Sequence, residues 1–139
     1  MNVVQHYLEN RFPVYYNVET LIPEYKNGFV KWNNNTGRVS RKVYSPLLDA
    51  FSHWTYDVTN GFLLIVDIQG VERDDCFILT DPAINCVEQR FGGTNIGEVG
   101  AELFFAMHEC SDVCLSMGLR KNKHMKDVKD IYACITGGR

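Results

Sequence analysis

Apolar residues fall in short bursts along this chain, and their spacing predicts which element each burst forms. Residues 62–67 (FLLIVD) are a continuous apolar run closed by an acid, the pattern of a strand covered on both faces. Residues 14–22 (VYYNVETLI) are β-branched and aromatic and also predict a strand. Residues 29–32 (FVKW) and 76–79 (CFIL) are shorter extended runs. Helical spacing appears three times. Residues 3–12 suit a short helix ended by Pro13. Ser45 followed by Pro46 is a helix start, with Leu48, Phe51 and Trp54 or Thr55 on one face. The longest pattern runs Val99, Leu103, Met107, Cys110, Cys114, Met117, with Asn95 as N-cap and Gly118 as the stop. Pro23, Lys26-Asn27-Gly28, Asn33-Asn34-Asn35-Thr36-Gly37 and Asn60-Gly61 mark turns. From Lys121 the chain is polar until Val128, Ile131, Tyr132 and Ile135, enough for one or two amphipathic turns.

Composition narrows the function classes. The 139 residues suit one domain and one modest core. A formal charge of −3 argues against a general nucleic-acid binder. There is no apolar run of ~18 residues to span a membrane and no apolar signal core at the start, so a cytoplasmic address is expected. Cysteines at 76, 86, 110, 114 and 134 are odd in number, which points to free thiols or metal ligands rather than disulfides.

Three constellations carry candidate chemistry. His53, His108, Cys110 and Cys114 are two imidazoles and two thiols, a Cys₂His₂ zinc set. Cys110 and Cys114 share a helix face, but His108 lies about 200° around from Cys110 in an unbroken helix. Chelation therefore requires a break near Glu109, with Ser111 restarting the turn. Both cysteines also lie on an apolar stripe, and buried free thiols fit that equally. Next, Asp67 and Gln69 follow the apolar strand and project to one side if the strand continues, with Asp81 further on. Acid, carboxamide and acid suit Mg²⁺ and phosphate oxygens, although strand-end capping and an Asp-Pro turn fit as well. Finally, Gly92-Gly93-Thr94-Asn95-Ile96-Gly97 opens a helix, as anion-cradling loops and ordinary turns both do.

Taken in order, these pieces resemble the alpha-type (atypical) protein kinases. The family includes elongation factor 2 kinase, the myosin heavy chain kinases and the kinase domains of melastatin-type TRP channels. The resemblance rests on Val18-Glu19, GFVKWNNNTG (28–37), AFSHWTYDVTNG (50–61), LLIVDIQGV (63–71), LTDP (79–82), FGGTNIGE (91–98) and HECSDVC (108–114). It implies an α+β fold, the C-terminal lobe of an atypical kinase fold with an integral structural zinc site. The zinc ligands would be His53, His108, Cys110 and Cys114. Four protein ligands leave no open position for a hydrolytic water. Asp67 would be the catalytic aspartate, Gln69 and Asp81 the magnesium-contacting pair, and Lys31 with Asn34 or Asn35 part of a polar loop beside them. Glu19, Thr20 and Ile22 would meet adenine through backbone groups on a hinge strand. Gly92, Asn95 and Gly97 would belong to a loop that holds peptide substrate. The implied cofactors are ATP, Mg²⁺ and Zn²⁺, and the implied partner is a protein with Ser or Thr as acceptor.

Two features depart from the family. Residues between Asp67 and Asp81 are a few more than usual. The family's phosphate-clamping lysine lies well upstream of the hinge, and residues 1–18 contain no lysine. The expected organisation is 1–22 as remnant of the N-terminal lobe and hinge, 23–119 as the C-terminal catalytic lobe, and 120–139 as a tail. A separate N-terminal lobe is then an expected partner. The alternative is a catalytically dead, zinc-stabilised interaction module.

Overall fold

A computed structural model of the chain describes residues 2–7, 13–23, 28–39, 42–88 and 90–121. Strand β1 (Asn2–Tyr7) pairs antiparallel with β2 (Pro13–Val18) as a hairpin. The short β3 (Val30–Lys31) leads into helix α1 (Pro46–Val58). Four strands follow: β4 (Leu63–Val66), β5 (Gln69–Glu72), β6 (Phe77–Thr80) and β7 (Ala83–Cys86). Helices α2 (Glu98–Met107) and α3 (Asp112–Ser116) close the described part. Among the described residues all strand pairings are antiparallel, in ladders β1-β2, β3-β5-β6 and β4-β7. None of the described helices is long and apolar enough to cross a membrane.

Strands β4 to β7 form one creased hairpin. Val66 faces Ala83 and Gln69 faces Thr80, so pairing resumes on the same register after the crease. The crease falls at Asp67-Ile68 on one side and Asp81-Pro82 on the other. Asp67 (φ 60°) and Asp81 (φ 46°) are both left-handed, and Pro82 has no amide to donate to a ladder. Strand β4 therefore packs under α1 and α2, while β5 turns away to join β3. The segment between Asp67 and Asp81 forms the β5-β6 hairpin, at whose tip the Arg73 amide donates to the Cys76 carbonyl at 2.8 Å. Register, not loop length, sets where Asp81 returns.

Three apolar clusters hold these pieces. Leu64, Val66 and Ala83 pack on Ala101, Phe104 and Phe105. Trp32, Leu48 and Ile68 form a second cluster, and Ala50, Cys114 and Leu119 a third. Helix α1 is also tied to β4 by hydroxyls: Thr55 Oγ1 accepts from the Ile65 amide at 3.0 Å, and Thr59 Oγ1 from Leu63 at 3.2 Å.

Several expectations are corrected. Residues 2–7 are strand rather than the start of a 3–12 helix; the rest of that segment lies outside the described residues. From Asn2 to Tyr7, pairing with a facing strand outweighs local helical spacing. The 14–22 strand ends at Val18, so Glu19, Thr20 and Ile22 lie beyond it. Thr55, not Trp54, shares the buried face of α1. The 99–117 helix is two helices broken at 108–111. Asn95 does not cap α2: the cap is Gly97, left-handed at φ 66°. Of the tail, only Arg120 and Lys121 are described.

Candidate active site and metal centre

The break between α2 and α3 gathers the sulfur and imidazole groups. His108 is the C-cap of α2 in extended conformation, and Ser111 is the N-cap of α3. That kink turns His108 back onto the side of Cys110 and Cys114 and lets all three meet His53 from α1. The four ligand atoms lie within 4.8 Å of one another. His53 Nδ1 is 3.1 Å from His108 Nε2, Cys110 Sγ is 3.8 Å from His53 Nδ1, and Cys114 Sγ is 3.7 Å from His108 Nε2. Tetrahedral zinc, with ordinary Zn–N and Zn–S bonds, separates its ligands by about 3.4 Å (N to N) and 3.6 Å (N to S).

The outer partners fix the tautomers. His53 Nε2 is 3.0 Å from the Arg120 carbonyl, which can only accept, so Nε2 carries the proton. His108 Nδ1 likewise donates to the Asp49 carboxylate at 2.8 Å, with both side chains buried. Two imidazole lone pairs are thereby left facing each other at 3.1 Å beside two thiols. Such a pair repels unless a cation or a proton lies between. Burial holds His53 below the usual imidazole range; the Arg120 carbonyl opposes this and His108 adds to it. Burial also pushes the Cys110 thiol up, and Cys114 adds to the rise. A neutral His53 is the form a metal needs, and a bound divalent cation would reverse the thiol shift. The donor set thus fits a four-coordinate structural ion with an outer shell already in place.

The crease builds the second site. Asp67 and Asp81 sit at its two ends, and Gln69 stands between them. Gln69 Nε2 lies 3.4 Å from Asp67 Oδ2 and donates to the Asp81 carbonyl at 3.2 Å. With its nitrogen turned inward, Gln69 presents Oε1 as a further acceptor. Lys31 Nζ reaches Asp67 Oδ1 at 2.5 Å from the neighbouring β3. Lys31, Asp67 and Gln69 are therefore brought together by their side chains and Asp81 through its carbonyl, by a sheet crease rather than by a continuing strand.

One carboxamide and neighbouring backbone groups hold this crease from behind. Buried Asn33 accepts the Ile68 amide through Oδ1 at 2.7 Å, and the Trp32 amide donates to the Ile68 carbonyl at 2.8 Å. The Asp67 amide donates to the Asn34 carbonyl at 3.3 Å. Asn34 Oδ1 faces its own loop, taking the Thr36 amide and hydroxyl and the Arg38 amide. Asn35 contributes its carbonyl to Asn85 at 3.0 Å. Asn33 and Asn85 were not among the residues singled out from sequence. The run of three asparagines was a signal, but only packing shows which of them is buried.

The other expected residues lie around this centre without joining it. Glu19 is exposed and accepts from the Thr80 hydroxyl at 2.9 Å, one residue before Asp81; Thr20 is exposed and Ile22 half-buried. Gly92 (φ 80°) is exposed, and the Asn95 amide donates to its carbonyl at 3.2 Å. Asn95 Oδ1 accepts from the amides of Cys86 and Gly97, both at 2.9 Å. That loop is fastened to β7 rather than to the crease.

Residues 1–114 match the model of the alpha-kinase family. The chain belongs to the alpha-kinase family. The alpha-protein kinase vwkA of Dictyostelium discoideum is 40% identical over 109 residues, covering 77% of this chain and 17% of that protein. Among solved structures, an alpha kinase from Entamoeba histolytica superposes with a TM-score of 0.73 at 38% identity, covering 84% of this chain and 43% of that one. The alpha-kinase domain of myosin-II heavy chain kinase A in complex with AMP-PNP gives 0.69 at 33%, covering 87% and 42%. This chain spans less than half the length of those solved alpha-kinase domains. The mixed helix-and-strand architecture is the alpha-kinase fold.

Proposed function

We propose that the chain carries the catalytic-turn half of an alpha-type protein serine/threonine kinase, which moves the γ-phosphate of ATP to a Ser or Thr hydroxyl of a protein. The observation that carries this reading is the convergence of Lys31, Asp67, Gln69 and Asp81 at one crease, with both acids on left-handed backbone. Non-glycine residues held in left-handed backbone gather at sites built for chemistry. Asp67 hydrogen-bonds the acceptor hydroxyl and takes its proton as the oxygen attacks the γ-phosphorus and the bond to the β–γ bridging oxygen breaks, releasing ADP. Lys31 and Gln69 fix the Asp67 carboxylate from two sides. Gln69 Oε1 and the Asp81 carboxylate are the hard oxygens that would hold Mg²⁺, whose charge offsets that of the phosphates. The backbone of Glu19, Thr20 and Ile22 would face adenine, with Asn34 and Asn35 behind the site. Gly92, Asn95 and Gly97 would lie along the peptide.

The metal in the Cys/His cluster would be a structural zinc. Residues 1–22 would belong to the upper lobe and hinge, 23–119 to the catalytic lobe and 120–139 to a tail. A phosphate-clamping lysine would come from an upstream extension or a separate chain. The test is radiolabelled phosphotransfer to a Thr-containing helical peptide. The 139-residue chain is expected to show none alone and to gain transfer when mixed with an N-terminal alpha-kinase lobe. Asp67→Asn should abolish that gain. Transfer that survives Asp67→Asn, or no transfer from any mixture of folded lobes, would overturn the reading.

A further inference from the structure

One buried side chain touches both loops that flank the creased hairpin. Asn85 lies on β7 opposite Leu64, with 2% of its surface exposed. Its Nδ2 donates to the Asn35 carbonyl at 3.0 Å, and its Oδ1 accepts the Ile96 amide at 3.0 Å. Asn35 belongs to the polar loop whose residues 33 and 34 hold the amides of Ile68 and Asp67. Ile96 belongs to the glycine-rich loop. A single carboxamide thus donates to the catalytic-turn side and accepts from the glycine-rich side.

The surroundings leave that carboxamide little freedom. A Cβ at Gly100 would lie 2.2 Å from Asn85 Nδ2, so the backbone of α2 abuts the amide. The polar loop is pressed on the same helix: a Cβ at Gly37 would lie 2.5 Å from Phe104 Cδ2. Next along β7, the Cys86 amide donates to Asn95 Oδ1, which fastens the glycine-rich loop a second time. An aspartate at 85 keeps the acceptor for Ile96 but sets an oxygen against the Asn35 carbonyl. A leucine keeps neither bond.

We infer that Asn85 is a positioning residue that couples the Asp67 turn to the glycine-rich loop, and so sets where a bound peptide lies relative to the Asp67 carboxylate. The second clause rests on the kinase reading; the coupling itself does not. Amide hydrogen exchange on the 139-residue chain tests the coupling. In Asn85→Asp, exchange at Asp67 and Ile68 should speed at least tenfold, although Asn33 and Asn34 are unchanged, while Leu64 and Val66 stay within twofold. Gly100→Ala, which displaces the carboxamide from the other side, should reproduce the pattern and serves if Asn85→Asp does not fold. Faster exchange confined to residues 92–97 in both variants would overturn the coupling, as would failure of Gly100→Ala to alter either loop. In the complemented kinase, Asn85→Asp should lower kcat/KM for peptide by tenfold or more and leave KM for ATP within twofold. An equal loss for both substrates would overturn the positioning role. Coupled exchange with no phosphotransfer even from wild type would reject the kinase reading and leave the coupling standing.

Discussion

The Cys/His cluster and the Asp67 crease are built on opposite plans. The cluster draws on three elements, α1, the α2–α3 break and α3, and three of its ligands are buried: His53 is 1% exposed, His108 8% and Cys114 0%. Its imidazoles are held from outside by Asp49 and the Arg120 carbonyl. The crease keeps its working groups nearer the surface than its support: Lys31 and Asp81 are exposed, Asp67 and Gln69 half-buried, and Asn33 buried. The first arrangement organises the fold around a ligand set. The second holds charged groups in positions the fold does not need. Perturbing the cluster should therefore cost stability, and perturbing the crease's side chains should cost chemistry.

The largest effect should come from breaking the ligand set. Apparent zinc binding in small modules is worth about 10–16 kcal/mol, as much as a whole domain's stability. Cys114→Ser, or a strong chelator, should abolish cooperative thermal unfolding by circular dichroism. Elemental analysis of the wild type should give one zinc per chain; a folded, metal-free protein would break the comparison at its root.

A support of the crease should cost less than a ligand. Asn33→Leu strands the buried Ile68 amide, which costs roughly 1–3 kcal/mol. Urea unfolding should show that loss while zinc content stays unchanged.

The outer shell of the cluster should matter for affinity rather than for folding outright. Asp49→Asn keeps an acceptor for His108 Nδ1 but removes its charge. Losses of this kind weaken metal binding by about 10–100-fold. Competition with a graded chelator should place Asp49→Asn near the lower end, and no change would mean that Asp49 does not act through His108.

These two regions were not equally legible in sequence. The ligand set could be named from residue types, and the awkward phase of His108 correctly demanded a break with Ser111 at the restart. The apolar periodicity still predicted one helix, because Cys110 and Cys114 occupy stripe positions whether the helix is continuous or broken. Ser45-Pro46 fixed the start of α1 because cap and proline act locally. The crease was harder. Asp67 and Gln69 were expected on one side by strand alternation, and they do meet, but through left-handed turns and the Gln69–Thr80 register. A pairing register depends on both strands, so neither run alone reveals it. Asn95 had the chemistry of an N-cap, yet it reaches back to the Cys86 amide, a contact that exists only once β7 is in place.

The smallest stability effect should come from the residue with the largest role in chemistry. Asparagine is at home in the left-handed region that Asp67 occupies, so Asp67→Asn removes charge without disturbing the backbone. The ion pair it loses joins a half-buried Asp67, 16% exposed, to a Lys31 whose side chain is 50% exposed, and solvent on the lysine side keeps such a pair's contribution small. Thermal unfolding of zinc-replete Asp67→Asn beside wild type is the most direct test of this division. The two midpoints should agree within a few degrees, with the variant no less cooperative. A drop as large as that of Asn33→Leu would show that Asp67 is a structural cap of the crease, and the site assigned to it would be wrong.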